Sequence, residues 1–379
     1  MLKRYLMAPG PTPVAPQTLL AMAEPIIHHR SPQFYAVVAE VEEGLKFLFQ
    51  TKNEVLILVA SGTGAMEGAV TNFLSAGDMA LVVRGGKFGE RWEEICTAYG
   101  VKAQTLDVEW GKSIKPRAIE GALKADPAIK AVYIQAHETS TGVKHPVEEI
   151  GRVVRQFPGT ILVVDAISAM GVYDLKTDDW QVDIMVSGSQ KALMLPPGLA
   201  FASVSEKAWA LNKTANLPRF YFDFAKERKN LAKNTGAYTS AVTMVIGLQQ
   251  VLRQIKADGL EVIFARNKRL SEATKAGVTA LGLALYTQEN SSEALTAIKA
   301  PEGIDGQEVV KIMREKYGVT IAGGQAQAKG KIFRISHMGY VNEFDVIVAL
   351  SALEMALKDL GYPVAMGAGV KAAELVFSS

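Results

Sequence analysis

Lys191 closes the segment Ser187-Gly188-Ser189-Gln190-Lys191, directly after an apolar run, and Pro196-Pro197-Gly198 then turns the chain into the next run. A lysine amine taken out of water loses proton affinity, and the free amine attacks carbonyl carbon to form a Schiff base. Read alone, a lysine at a strand end is equally a solvated charge. Asp165 ends the run ILVVD. A carboxylate buried there needs a cation or several hydrogen-bond donors. A metal, the protonated ring nitrogen of a cofactor, a helix cap or a structural salt bridge would each serve. Spacing gives no support to a metal: there is no HExxH, and His28, His29, His137, His145 and His337 are scattered.

Two further segments follow apolar runs. Ser61-Gly62-Thr63-Gly64 lies between VLILVA and AMEGAV. Small residues let the backbone approach an anion, and an opening helix turn offers its N–H groups and dipole to phosphate. A plain strand-to-helix turn with a hydroxyl cap has the same appearance. The segment is no Walker loop, and Glu67 replaces the third glycine of a dinucleotide fingerprint. Thr139, Ser140 and Thr141, in HETSTGV, either bond a ligand or cap a turn.

The elements that must position these residues are legible as a rhythm. Six apolar runs rich in β-branched residues, at 55–60, 79–84, 131–136, 161–166, 184–189 and 199–204, alternate with helical patterns such as AMEGAVTNFL and VEEIGRVVRQF. Their lack of polar alternation implies strands buried on both faces, hence a mainly parallel α/β sheet covered by helices. Such sheets bind ligands at the carboxyl ends of their strands, where all four segments fall. After about residue 205 the rhythm changes. A helical pattern runs from Met244 to Leu281 with Gly259 as its break, then IDGQEVVKIMREKYG reads as a helix and KIFRIS as a strand. A last helix is opened by Asn342 and closed by Gly361. This reads as a smaller α+β domain.

Composition narrows the class. The chain has 379 residues, which at about 150 per domain suggests two or three domains. Lys+Arg 41 against Asp+Glu 39 leaves +2, with the charges scattered, so no nucleic-acid-binding face is expected. Apolar runs stop well short of the roughly 18 residues of a membrane span, so no membrane partner is expected either. The single Cys96 sits in a helical pattern and reads as a buried structural thiol, and the N-terminus shows no secretory apolar stretch. A reducing cytoplasm fits both features.

A phosphate cradle, a buried aspartate and a reactive lysine at the ends of strands in one sheet are together what pyridoxal 5'-phosphate requires. The motifs MAPGPTPV, IIHHRSPQF, SGTGAMEGAV, GGKFGERW, ETSTGV, VVDAISAMG, SGSQKALMLPPG and KIFRISHMG also resemble, in order and spacing, the class V aminotransferases of the alanine–glyoxylate and serine–pyruvate type. The resemblance implies the pyridoxal phosphate-dependent transferase fold of type I. That means an N-terminal arm (1–20), a large domain with a seven-stranded mainly parallel sheet (21–255) and a small C-terminal domain (256–379), in a homodimer with shared active sites.

By motif, the resemblance makes Lys191 the Schiff-base lysine and Asp165 the partner of the pyridine nitrogen. Ser61, Gly62, Thr63 and Gln190 would hold the phosphate. Phe88, where relatives often carry tryptophan, would stack on the ring, with a smaller face and no indole N–H. Thr139 would lie near the phenolic oxygen. Thr239 would reach the phosphate from the neighbouring subunit, while a tyrosine expected three residues earlier is Gly236, so either Tyr238 substitutes or one contact is missing. Arg334 would grip the substrate carboxylate, a task suited to a guanidinium fork. His28, His29 and Arg30 would line the substrate entrance or serve structure. The implied activity moves an amino group from a small amino acid, alanine or serine, to glyoxylate or pyruvate by a ping-pong route. The alternatives are a phosphonate- or phosphoserine-type transaminase of the same class, or a non-catalytic subunit of a soluble, hydrogenase-labelled redox complex. A cysteine desulfurase would need a mobile nucleophilic cysteine, which Cys96 does not resemble.

Overall fold

A computed structural model describes residues 2–287 and 289–379. The six apolar runs all form strands, and in Ile161–Asp165 and Ile184–Gly188 every residue is buried. They lie in a seven-stranded sheet ordered Val55–Ala60, Gly198–Val204, Ile184–Gly188, Ile161–Asp165, Ile129–Gln135, Met79–Arg84, Lys102–Asp107. Gly198–Val204 is antiparallel to both neighbours, and the other pairings are parallel. Two reversals cancel, so Val55–Ala60 points the same way as the parallel strands and ends at the same edge. Lys102–Asp107 is not announced by the sequence pattern. It is an edge strand with no buried residue, so KAQTLD needs no apolar run.

The long helical pattern resolves into Val242–Asp258 and Leu260–Ala280, broken at Gly259, whose φ of 81° suits a residue without a Cβ. The helix after Pro146 stops at Val154, shorter than its pattern suggests. Asn342 opens the helix Glu343–Asp359 through a capping box with Asp345. The strands Leu295–Lys299, Ile332–Ser336 and Ala322–Gly323 form a second, antiparallel sheet.

Apolar burial gathers in two clusters. One surrounds the large sheet; the other joins Leu270, Phe333, Ile335, Leu350 and Leu353 around the small sheet. Met7 belongs to the second cluster. Tyr5–Leu6 pairs with Val319–Thr320, and Met7 bonds both Thr320 O and Ser336 N, each at 2.8 Å. The N-terminal segment is therefore sewn to the smaller core before it crosses to the large sheet. Cys96 is buried in the helix Lys87–Ala98, and burial pushes its thiol up to about 12, which leaves it inert. Among the described residues no helix is long and apolar enough to cross a membrane.

Candidate active site

The parallel strands deliver their following residues to one edge. Asp165 ends Ile161–Asp165, in register with Gln135 on one side and Val186 on the other. Lys191 follows Ile184–Gly188 by three residues. Its loop is fixed by Ser189, whose hydroxyl donates to Pro196 O at 2.7 Å and accepts from Leu199 N at 3.2 Å. Thr12 clamps the lysine backbone from the N-terminal segment, its hydroxyl donating to Lys191 O at 2.6 Å. The Lys191 amine donates to Pro9 O at 2.5 Å. Gly10 has φ 130°, and a Cβ there would collide with Lys191 Nζ, so this position needs glycine. Burial pushes the amine down to about 8, opposed by the negative charge of Asp165 and aided by Arg334 and Arg91. A substantial fraction of the amine is therefore neutral near pH 8, as a nucleophile requires.

Asp165 is buried. One oxygen, Oδ1, accepts from Ile167 N at 2.8 Å, and Oδ2 has no donor among the described residues. Burial pushes this carboxyl up to about 7. Because the folded pKa exceeds the ordinary 3.8, the unfolded chain loses its proton first as pH rises, and stability falls from about pH 4 to about pH 7. Glu227, also raised to about 7 by burial, acts in the same direction. Asp165→Asn removes only the first contribution. The cofactor-free variant is expected to be more stable than wild type at pH 8 by about 1–3 kcal/mol, since the amide still bears part of the burial cost. At pH 4 the difference should vanish. Chemical denaturation at the two pH values measures it.

Ser61 is the extended N-cap residue, and Gly62 and Thr63 open the helix Gly62–Thr71. Ser61 makes no side-chain cap, which leaves the opening N–H groups for an external acceptor. Thr63 Oγ1 accepts from Arg91 at 3.3 Å, and Arg91 lies 4.9 Å from the Phe88 ring centre. Gln190 Oε1 is buried and has no hydrogen-bond donor among the described residues, so only the amide's NH2 end could serve a phosphate. An uncapped helix start, a carboxylate with one free oxygen and a buried amine facing only a carbonyl fit a cofactor that carries a phosphate, a basic ring nitrogen and an aldehyde.

Arg334, on Ile332–Ser336, is buried and donates to Gly323 O at 2.6 Å and to Thr139 O at 2.6 Å. Burial lowers it to about 10, so it remains charged at neutral pH. Thr239 does not join this group within one chain. It is exposed on the segment Thr235–Ser240, beside an apolar groove lined by Val59, Tyr221 and Val245. Tyr238 is committed elsewhere: its hydroxyl donates to Phe220 O at 2.7 Å and accepts from Lys226 at 3.1 Å, and its ring stacks on Tyr221. His28 and Arg30 are exposed and His29 partly so.

Sequence reading passed over Glu138. It is fully buried and accepts from Phe88 N (3.1 Å), Gly89 N (3.0 Å) and the Ser140 hydroxyl (2.5 Å), shaping the turn that presents Phe88. The signal was available, a carboxylate just past an apolar run, as at Asp165. Arg91, Ser168 and a buried His137 were also missed.

The sequence model for Aminotransferase class-V matches residues 4–348. The chain belongs to the class V aminotransferases. It is 45% identical, across 100% of its length and 99% of the relative, to a protein named as the small subunit of a soluble hydrogenase in Synechococcus sp. (strain PCC 6716). It is 37% identical to an L-aspartate–glyoxylate aminotransferase of Paracoccus denitrificans (97% of this chain, 95% of the relative). It is also 37% identical to a serine–glyoxylate aminotransferase of Hyphomicrobium methylovorum (99% and 94%). Among solved structures, the ureidoglycine–glyoxylate aminotransferase of Bacillus subtilis superposes with a TM-score of 0.96 at 30% identity, covering 100% of this chain and 99% of that one. The fold is that of type I pyridoxal phosphate enzymes.

Proposed function

We propose that this class V aminotransferase binds pyridoxal 5'-phosphate at Lys191 and transfers the amino group of alanine or serine to glyoxylate or pyruvate. The observation that carries the reading is the Lys191 amine, buried without a carboxylate partner of its own within bonding distance and lowered toward neutrality, in the field of Asp165. The bound cofactor supplies an electron sink for the carbanion left when an amino acid loses its α-proton. The chain's own residues do the rest. Asp165 Oδ2 would keep the ring nitrogen protonated. Ser61, Gly62 and Thr63, with Gln190, would hold the phosphate, and Phe88 would pack on the ring. Arg334 would orient the substrate carboxylate, and Lys191 Nζ would carry the α-proton.

Thr239, exposed beside an apolar groove, suits a contact made in trans, and we read the working form as a cytoplasmic homodimer with shared sites. With Tyr238 committed to Phe220 O, that contact rests on Thr239 alone. The donor is tested by mixing the cofactor-loaded protein with single amino acids and following its visible spectrum. Alanine or serine is expected to convert it fast, and aspartate slowly. Rapid conversion by aspartate alone would reject the donor while keeping the cofactor.

The name of the Synechococcus relative favours a second reading, a non-catalytic place in a redox complex. Among the described residues no three His, Cys, Asp or Glu side chains converge as metal ligands, so that role would be structural. Absence of any visible band after loading with pyridoxal phosphate is the result that would favour it.

A further inference from the structure

We propose that His137 and Ser168 orient the hydroxyl of Thr139 through a one-way hydrogen-bond chain, from His137 Nδ1–H to Ser168 Oγ–H to Thr139 Oγ1–H. Its last proton would serve the phenolic oxygen of the cofactor. The inference rests on the cofactor reading above and deepens it by assigning two positioning residues to one contact.

The direction follows from which atoms can donate. His137 Nδ1 lies 2.9 Å from Ser168 Oγ and 3.3 Å from Ser168 O. A carbonyl oxygen only accepts, so a bare nitrogen lone pair facing it would be repelled, and Nδ1 must carry the proton. The other ring nitrogen is buried with no partner. A buried N–H left unpaired is rarer and costlier than an unpaired acceptor, which again places the proton on Nδ1. With Nδ1–H donating to it, Ser168 Oγ has its own proton to give. Thr139 Oγ1 stands 2.5 Å away, whereas the alternative acceptor, His137 O, is at 3.5 Å. Thr139 thus accepts from Ser168 and keeps one proton with no acceptor among the described residues. Burial pushes His137 down to about 3, so the ring stays neutral and the chain keeps its direction over the working pH range.

The charged and titratable groups around this chain are Lys191, Arg91, Arg334, Glu138, Asp165 and His145. None of them is altered by Ser168→Ala or His137→Leu. A hydrogen bond to the phenolic oxygen favours its anionic form and weakens its hold on any proton shared with the lysine-linked nitrogen. Each donor in a chain strengthens the next.

The test is a spectrophotometric pH titration of protein loaded with pyridoxal phosphate. Ser168→Ala is expected to raise the midpoint of the visible absorption change by about half to one pH unit, the scale of one hydrogen bond. His137→Leu should raise it less, and adding His137→Leu to Ser168→Ala should change nothing more, because the link between them is already cut. An unchanged midpoint in Ser168→Ala, with a normal band, overturns the chain and leaves the cofactor reading standing. No band in wild type overturns both. Should the variants fail to fold, nitrogen NMR of the assigned His137 ring in wild type decides: a protonated Nδ1 and bare Nε2 are expected, and a protonated Nε2 overturns the proposal.

Discussion

Lys191→Ala is expected to abolish the visible band of the loaded protein and to lower transamination by about 10⁴-fold, the upper end of what a positioned proton-transfer group contributes. The upper end applies because, on the proposed reading, one amine both anchors the cofactor and moves the α-proton, and among the described residues the only other cations in its field are Arg91 and Arg334. Neither guanidinium can give up a proton to act as a base. The fold should tolerate the change, since the amine bonds only Pro9 O while the loop is held by Ser189 and Thr12. Single-turnover rates with the best donor, together with a circular dichroism spectrum, measure both halves. A variant retaining a tenth of the wild-type rate would remove Lys191 from the chemistry.

Arg334→Lys is expected to lower kcat/KM by about 30- to 1,000-fold, equivalent to about 2–4 kcal/mol, with the loss mainly in KM for amino acid and oxo acid alike. An ammonium keeps the charge but cannot hold Gly323 O and Thr139 O while offering a flat, two-pronged face to a carboxylate. The cofactor band should be unchanged, which separates loss of substrate grip from loss of the site. Steady-state kinetics with both substrates varied would expose the alternative: a fall in kcat alone would place Arg334 away from the carboxylate.

What the sequence made legible divides along physical lines. Strands buried on both faces must be apolar throughout, so the six runs stood out, while Lys102–Asp107, an edge strand with no buried residue, did not. That Asp165 and Lys191 stand at one edge of the sheet was legible because each comes at or just after the end of a buried apolar strand; what each does there was not settled by its position. Glu138 obeyed the same rule but stood beside hydroxyls that drew the reading to turn formation. The pairing of His137 with Ser168 was out of reach, because it joins the ends of neighbouring strands 31 residues apart. The cover over Lys191 joins residues 182 positions apart, and GlyPro alone does not say which side chain passes beneath it.

That cover ties the lysine to the smaller core by a very short leash. Met7 is pinned at both its nitrogen and its carbonyl to the strands at Thr320 and Ser336, and two residues later Pro9 O holds the amine. Two residues of extended chain reach about 7 Å at most. In the cofactor-free protein a tilt of the small sheet that exceeds the slack in that leash must drag the carbonyl off the amine, so displacement of the smaller core and release of the amine become a single mechanical event.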